Sequence, residues 1–215
     1  MLERILPPAV RTAYARTDPP EAEIFPAEAA LIAGAVAKRR EEFTTARHCA
    51  RLALAELGVP PAPILRGVRG APVWPDGIVG SMTHCPGYRG AAVARAGEVP
   101  GLGIDAEVHG PLPTGVLDLV SSQRERAHLA ELALLRPAVQ WERLLFSAKE
   151  SVYKVWSPLT GQWLGFEGAA VTFDPEAGTF AVRLLVDGPV DTLAGRFLVH
   201  DGIVLTAIVL DAPAR

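Results

Sequence analysis

The chain has 215 residues, 49% hydrophobic and 21% charged, which is a typical globular composition and enough for one large domain or two small halves. A formal net charge of -3 gives no general reason to expect binding to nucleic acid or to an anionic membrane, so phosphate binding requires a local cluster of Arg and Lys. The two cysteines do not have the spacing of metal ligands, so we expect both to be reduced thiols. The sequence shows no signal peptide and no apolar run near the roughly 18 residues that a membrane span needs, so we expect a cytoplasmic protein.

The first half is predicted to contain helices followed by strands. Four prolines predict irregular structure over residues 1–24. The segments AEAALIAG (27–34) and KRREEFTTARHCARLALAEL (38–57) have apolar residues at helical spacing, and Gly58 follows as a stop. Strand-like segments come next, separated by turns: APILRG, IVGSMTH, GAAVARA and GLGIDAE.

The second half is predicted to begin with helix and to end in hairpins. Residues 114–157 have a mostly helical pattern. AAVTF and TFAVRLLV flank the turn DPEAG, while GRFLVH and IVLTAIVL flank Asp201-Gly202, a strong two-residue turn signal. We therefore predict an α+β fold of two comparable halves, residues 1–105 and 106–215, that form one functional unit.

The segment FSAKESVYK (146–154) places two lysines and a glutamate in an otherwise apolar helix. The apolar residues form one stripe, and Glu150 and Lys154, which are four positions apart, can point at one bound group. The alternative is a solvated Glu–Lys pair, the commoner outcome for such pairs, which contributes only ~0.2–0.5 kcal/mol.

The segment GLGIDAEVHG contains a second group of charges. Asp105 and Glu107 share one face of a strand, where neighbouring carboxylates raise each other's pKa unless a cation lies between them. With Glu150 they predict a three-carboxylate oxygen site of the type that suits Mg²⁺. The alternative is a strand end whose acidic side chains face solvent.

Arginines are concentrated in two segments that precede these acids. Arg39 and Arg47 recur on one side of the predicted helix 38–57, and Arg66 and Arg69 follow in LRGVRG, where glycines allow a ligand to approach the backbone. Guanidinium groups are well suited to binding phosphates. A solvated basic helix face is the commoner interpretation of any one such run.

Two further segments contain candidate ligand contacts. Thr83 and His84 lie at a strand end in SMTHC, where His84 is a candidate phosphate donor or general base and equally a hydrogen-bonded structural histidine. No G-x-S-x-G nucleophile pattern accompanies them. Trp163, in GQWLGFEG, is either ordinary packing or the wall of a ligand pocket.

The pair GIDAE and FSAKESVYK resembles the signature of the 4′-phosphopantetheinyl transferases, G-[IV]-D-x-E followed by [FW]-[SC]-x-K-E-[AS]-x-x-K. KRREEFTTARHCAR, LRGVRGAPVWPDG and SMTHC resemble the cofactor-binding segments of the monomeric subclass, and the pattern is most similar to its actinobacterial branch. The resemblance covers roughly residues 25–210. The two-part acidic motif is far more specific than either of its pieces.

The resemblance implies a fold of two similar α+β halves with an active site in the cleft between them. It implies transfer of the 4′-phosphopantetheine arm of coenzyme A to a serine of an acyl or peptidyl carrier protein, with release of adenosine 3′,5′-bisphosphate. Mg²⁺, or Mn²⁺ in its place, would be held by Asp105, Glu107, Glu150 and the backbone carbonyl of Ala106. The implied coenzyme A contacts are Arg39, Arg47, Arg66, Gly67, Val68, Arg69, Thr83, His84, Glu150, Lys154, Trp163 and Leu164.

The implied catalytic residues are Glu107, Glu150 and Lys154. Either glutamate would accept the serine proton, directly or through water, and Lys154 would stabilise or protonate the leaving phosphate. We expect a monomer that binds coenzyme A and a carrier protein with an acidic recognition helix, but neither nucleic acid nor membrane. The motifs do not distinguish among carrier proteins of fatty-acid, polyketide and nonribosomal-peptide synthesis.

Two other functions fit parts of the pattern. A metal-dependent nuclease also uses neighbouring acids with a lysine, but the net acidic charge and the four-residue Glu150–Lys154 spacing disfavour it. A non-catalytic module that binds coenzyme A or carrier protein is disfavoured because every acid of the motif and Lys154 are present.

Overall fold

Two antiparallel sheets, each covered by one long helix, form the frame of the computed structural model, which describes residues 1–211. The helices are α1 (Pro26–Ala30), α2 (Ala37–Glu56), α3 (Val116–Val120), α4 (Gln123–Leu135) and α5 (Trp141–Thr160). The strands are β1 (Arg11–Ala15), β2 (Ile78–Cys85), β3 (Tyr88–Arg95), β4 (Leu102–Val108), β5 (Ala169–Asp174), β6 (Thr179–Leu184), β7 (Thr192–His200) and β8 (Ile203–Val209). The strand order is β1-β3-β2 in the first sheet and β4-β8-β7-β6-β5 in the second. The predicted α+β class is confirmed.

In the first half, α2 packs on the three-stranded sheet through small residues. Cys49 and Ala53 of α2 are buried against Ala91 and Val93 of β3. Short side chains on both surfaces let the helix approach the sheet closely. As a result, the polar side chains at the N-terminal end of α2 lie beside the end of β2.

In the second half, α5 packs on β4 and β8. The predicted apolar stripe of α5 is confirmed, because Leu145, Ala148 and Val152 are fully buried in the core under the five-stranded sheet. Gly103 of β4 permits this packing, since a Cβ at that position would lie 2.2 Å from the carbonyl oxygen of Ser151 on α5. The first residue of the GIDAE segment therefore sets how closely the helix rests on the strand.

The two halves meet along the edge strands β2 and β4. No backbone ladder joins these strands, which belong to separate sheets. Instead, Ile104 N–H donates to Ser81 Oγ at 3.1 Å and Ala106 N–H donates to Thr83 Oγ1 at 2.9 Å. The two sheets divide between β3 and β4, so the predicted division after residue 105 falls inside β4, which pairs with β8 over its whole length.

The prediction that residues 1–24 are irregular is wrong. Leu2–Arg4 form a 3₁₀ turn, and β1 pairs with β3 from Arg11↔Val93 to Ala15↔Arg89. The hydrogen-bond partners of β1 come from a distant part of the chain, so a local pattern does not reveal the strand. The four prolines lie outside β1 and do not interrupt it.

Three other elements differ from their predicted bounds. APILRG is not a strand and forms only an isolated bridge between Arg66 and Pro72. The helix predicted at 27–34 is α1 and ends at Ala30. The stretch 114–157, predicted to be mostly helical, contains three helices. Ser122 and Glu125 form a capping box that starts α4 after α3, and α5 continues to Thr160.

The two C-terminal hairpins are confirmed. Asp201 and Gly202, the turn between β7 and β8, have φ angles of 49° and 72°, as a two-residue turn of type I′ requires. Among residues 1–211, no helix has the length and apolarity that crossing a lipid bilayer requires.

Candidate active site

A cleft of about 460 Å³ lies at the junction of the two halves. One wall comes from α2, the loop 66–72 and β2, and the other comes from β4 and α5. The predicted site residues that line it are Arg39, Arg47, Arg66, Arg69, Thr83, His84, Asp105, Glu107, Glu150 and Lys154. The first wall therefore carries the arginines and the second wall carries the three carboxylates.

Asp105 is at the centre of the acidic wall and is 5% exposed. Its Oδ1 accepts hydrogen bonds from Lys154 Nζ at 2.8 Å and from Thr83 Oγ1 at 3.2 Å. Its Oδ2 is buried and has no hydrogen-bond partner within residues 1–211. A buried carboxylate oxygen without a donor is unfavourable, so this atom fits a position where a cation or another donor binds.

Glu107 and Glu150 flank Asp105 from β4 and α5. Burial raises the pKa of both carboxyls, and the neighbouring charge of Asp105 raises both further. Arg143 lowers the pKa of Glu107 through an ion pair of 3.0 Å with its Oε2, and Lys154 lowers that of Glu150. Both groups hold a proton more readily than an exposed glutamate, which suits a proton acceptor.

We expected three carboxylates to converge on one metal position, but their side chains do not do so in this structure. Within residues 1–211, no three His, Cys, Asp or Glu side chains form a group that could hold a metal ion. Lys154 forms an ion pair with Asp105, and Arg143 forms one with Glu107. The residues nevertheless fit a hard cation by donor type, because all are carboxylates and Asp105 Oδ2 has no donor.

Ala106 takes part through its backbone. Its methyl group is buried in the core, and its N–H donates to Thr83 Oγ1. The N–H and C=O of one strand residue project to the same side, so the Ala106 carbonyl also faces β2.

The two lysines of α5 have different partners. Lys154 Nζ donates to the carbonyl oxygen of Ile104 at 3.0 Å as well as to Asp105. Lys149 points away from the cleft, where it pairs with Glu125 at 2.9 Å and donates to the Phe166 carbonyl. Only Lys154 is placed to act on a ligand in the cleft.

On the basic wall, the guanidinium groups of Arg47 and Arg66 both lie against the aromatic ring of Phe43. The guanidinium carbon of Arg47 lies 3.3 Å from the ring centroid and that of Arg66 lies 5.2 Å from it. Arg47 Nε also donates to the Ile64 carbonyl at 3.0 Å and lies 3.7 Å from Glu28. The pKa of Arg47 is lowered to about 10, mainly by burial. The carboxylate of Glu28 raises this pKa, whereas the neighbouring guanidinium groups, of which Arg66 has the largest effect, lower it. Positive charges crowded in this way favour an anionic ligand.

Four predicted contacts lie beside the cleft and do not line it. Gly67 and Val68 are exposed in the loop between Arg66 and Arg69. Trp163 and Leu164 line a neighbouring pocket of about 160 Å³, to which Glu150 and Tyr153 also contribute. Trp163 is 66% exposed, with its ring centroid 5.0 Å from that of Tyr153. Since Glu150 and Tyr153 line both spaces, the small pocket adjoins the cleft.

Residue-by-residue reasoning missed two residues that line the cleft, Phe43 and Tyr153, and one that pairs with Glu107, Arg143, although each has a signal in the spacing. Phe43 lies four positions after Arg39 and four before Arg47, which places all three on one side of α2. Arg143 lies seven positions before Glu150 and so shares its side of α5. Tyr153 follows Glu150 by three positions.

Comparison with known proteins assigns the family. The family model of the 4′-phosphopantetheinyl transferase N-terminal domain matches residues 27–94, and that of the 4′-phosphopantetheinyl transferase superfamily matches residues 101–206. The chain is 56% identical to the 4′-phosphopantetheinyl transferase Svp of Streptomyces mobaraensis, over 100% of this chain and 91% of that protein. It is 55% identical to PptT of Mycobacterium tuberculosis, over 92% of each, and 51% identical to Npt of Nocardia iowensis, over 97% and 99%.

Proposed function

The chain belongs to the 4′-phosphopantetheinyl transferase superfamily, and on that premise we propose that it takes the phosphopantetheine arm from coenzyme A. Enzymes of this family transfer the phosphopantetheine group to carrier proteins. In this proposal the acceptor is a serine hydroxyl, Mg²⁺ is bound in the cleft, and adenosine 3′,5′-bisphosphate is the second product. The observation that supports it is the cleft itself, which places four arginines opposite three carboxylates and one lysine.

The basic wall matches the charge of coenzyme A, which carries a pyrophosphate and a 3′-phosphate. Arg39, Arg47, Arg66 and Arg69 reach the cleft from α2 and from the loop that follows it. Guanidinium groups donate to phosphate oxygens in pairs, so this wall binds and orients the nucleotide end of the substrate.

The acidic wall is the proposed place of the metal. Asp105, Glu107, Glu150 and the Ala106 carbonyl are the groups that would hold it, and the buried Asp105 Oδ2 without a donor supports this choice. When bound, Mg²⁺ supplies neutralisation and polarisation of the pyrophosphate oxygens. Lys154 Nζ already donates to Asp105 Oδ1 at 2.8 Å and so orients that carboxylate.

A cleft carboxylate is the proposed acceptor of the serine proton. Burial raises the pKa of both Glu107 and Glu150, which brings each nearer to the working pH of a general base. Glu107 is engaged by Arg143, whereas the Glu150 carboxylate accepts no hydrogen bond from residues 1–211. This contrast favours Glu150, with Glu107 as the alternative.

Lys154 is the proposed partner of the leaving phosphate. Its ammonium group has only partial burial and lies between the Ile104 carbonyl and Asp105, at the centre of the cleft wall. A cation there stabilises the negative charge that grows on the leaving phosphate and can return a proton to it.

Both walls of the cleft come from a single chain, which supports the proposal of a monomer. The carrier protein would approach from the open side of the cleft. Val68 and Trp163, which are both strongly exposed, provide apolar surface beside the arginines of that rim. A mixed basic and apolar surface fits the acidic recognition helix of a carrier protein.

Mass spectrometry of intact carrier proteins tests the proposed reaction. Apo carrier proteins from fatty-acid, polyketide and nonribosomal-peptide synthesis are incubated with the protein, coenzyme A and Mg²⁺. We expect at least one to gain the mass of one phosphopantetheine arm, and the gain to disappear with a chelator, with Asp105→Ala or with a carrier whose serine is replaced by alanine. Failure to modify carriers that a known family member does modify would refute the proposal.

A further inference from the structure

Glu42, Arg39 and His84 form a closed group at the edge of the basic wall. Glu42 is almost fully buried, and its Oε2 lies 3.4 Å from His84 Nδ1 and 3.9 Å from Arg39 Nη1. Arg39 Nη1 in turn contacts His84 Nε2. Arg39 and His84 line the cleft, whereas Glu42 lies behind them.

These contacts define the tautomer of the imidazole. A guanidinium has hydrogen-bond donors only, so Nε2 of His84 must accept from Arg39 and carries no proton. The remaining ring proton is on Nδ1, which faces the carboxylate of Glu42. A carboxylate at Nδ1 is the usual device by which a protein fixes a histidine tautomer and directs the other nitrogen.

The surroundings of His84 favour its neutral form while the cleft holds no anion. Burial lowers the pKa of His84, and the cations that face it, Arg39 from α2, Lys154 from α5 and Arg89 from β3, lower it further. Glu42 is the one group of this set that raises it. A phosphate in the cleft would act in the same direction as Glu42.

We propose that Glu42 is a positioning residue that holds His84 with Nδ1–H toward itself and Nε2 toward the cleft, so that a phosphate bound there draws one proton from solvent onto His84. This inference rests on the proposed function and deepens it, because it assigns a protonation step to the binding of coenzyme A. Glu42 touches no substrate in this scheme and acts through His84.

The step conserves atoms and charge. The lone pair of Nε2 takes a proton from solvent, and the new N–H donates to a phosphate oxygen. Arg39 releases Nε2 and also donates to the phosphate. The imidazolium is then flanked by two anions, Glu42 at Nδ1 and the phosphate at Nε2, and no bond of the ligand is broken.

The sign of the pH dependence follows from these charges. The pKa of His84 is below its ordinary value in the free protein and is raised when the phosphate is present. Proton uptake is therefore greatest between the free and bound pKa values. Affinity for coenzyme A falls as the pH rises through this interval and becomes independent of His84 above it.

Titration calorimetry of coenzyme A with Mg²⁺ present measures the uptake directly. The experiment is run at about pH 7, in buffers of different ionisation enthalpy and without phosphate. The slope of observed enthalpy against buffer ionisation enthalpy is the number of protons taken up. The difference in slope between wild type and His84→Gln is the part of the proton uptake that depends on His84.

We expect the wild-type slope to exceed that of His84→Gln. Glu42→Gln should lose most of this excess and bind coenzyme A on the order of tenfold more weakly, the typical loss when a charged partner is removed. Glu41→Gln, an exposed neighbour on the same helix, is the matched control and should keep the wild-type slope.

Two results would overturn the inference alone. Equal slopes for wild type and His84→Gln would mean that His84 takes up no proton, and an unchanged slope in Glu42→Gln would remove the role of Glu42. Absence of coenzyme A binding by the wild-type protein would instead refute the proposed function, and the inference with it. Circular dichroism of each variant verifies that the fold is retained.

Discussion

Replacing Gly103 with alanine should push apart the two elements that carry the acidic wall. A Cβ at residue 103 would lie 2.2 Å from the Ser151 carbonyl oxygen and 2.7 Å from Val155 Cγ2. The first atom belongs to the helix backbone, so no rotamer change relieves the contact. To restore an ordinary carbon–oxygen separation of ~3.3 Å, α5 must move from β4 by roughly 1 Å. Overpacking of this kind destabilises a core by about 1–3 kcal/mol, which lowers the melting temperature of a protein of this size by roughly 2–12 °C.

The same displacement should impair catalysis more than cofactor binding. Asp105 and Glu107 are on β4, whereas Glu150 and Lys154 are on α5, so a shift between the elements changes every distance across the acidic wall. A misplacement of about 1 Å can lower a rate on the order of 100-fold. The arginines lie on the opposite wall, and we expect the KM for coenzyme A to change much less than kcat.

Thermal denaturation and steady-state kinetics with a carrier protein measure both effects. Gly97→Ala is the matched control, because a Cβ there would meet no atom within 4 Å and its backbone does not have a positive φ. We expect the control to stay within about 0.5 kcal/mol of wild type. If Gly103→Ala melts and turns over like Gly97→Ala, the close contact of β4 with α5 does not set the geometry of the cleft.

Three further predictions concern single charged groups. Lys154→Ala should lower kcat strongly and raise the KM for coenzyme A only modestly, with partial rescue by arginine, and an unchanged kcat would deny it a catalytic role. Arg47→Ala should weaken coenzyme A binding in calorimetry about tenfold to hundredfold but leave dephospho-coenzyme A little affected, and equal losses would place Arg47 away from the 3′-phosphate. Burial alone would raise the pKa of Glu125, but N–H donors of Ser122 and Val171 and the Lys149 ammonium lower it below its ordinary value of 4.5. The stabilising contribution of Glu125 is present above that pH and is lost as the pH falls through its folded-state pKa. In urea denaturation, the free energy of unfolding of the wild type should therefore fall more steeply than that of Glu125→Gln below about pH 4.5. Parallel curves for the two proteins would exclude this role.

Elements whose signals are local were predictable from the sequence, and those that depend on distant partners were not. The helix over 38–57 and the hairpin at Asp201-Gly202 follow from apolar spacing and turn chemistry within a few residues. Strand β1 forms because its backbone hydrogen-bonds to β3, which lies far along the chain, so no local pattern predicts it. APILRG has strand-like residues but finds no strand to pair with, so it remains a loop with one bridge.

The same distinction applies to the site. Alternation along β4 correctly places Asp105 and Glu107 on one face, and helical spacing correctly places Glu150 and Lys154 together. The cross-element contacts had no local signal, because they depend on how α5 crosses β4. The pairing of Arg143 with Glu107 and that of Lys154 with Asp105 therefore could not be predicted from either segment alone, although helical spacing places Arg143 on the same side of α5 as Glu150.

The two lysines of FSAKESVYK affect the cleft in opposite ways. Five positions on a helix rotate a side chain by about 140°, so Lys154 faces the cleft while Lys149 faces α4 and the loop before β5. Lys149 is 3% exposed, and Glu125 holds its ammonium at 2.9 Å. Glu150, the next residue, is consequently influenced by Asp105 and Lys154 and not by Lys149, and its pKa stays raised. The buried pair with Glu125 thus directs the Lys149 ammonium away from the cleft, so that Lys154 is the lysine of α5 that acts on the carboxylate we propose as the general base.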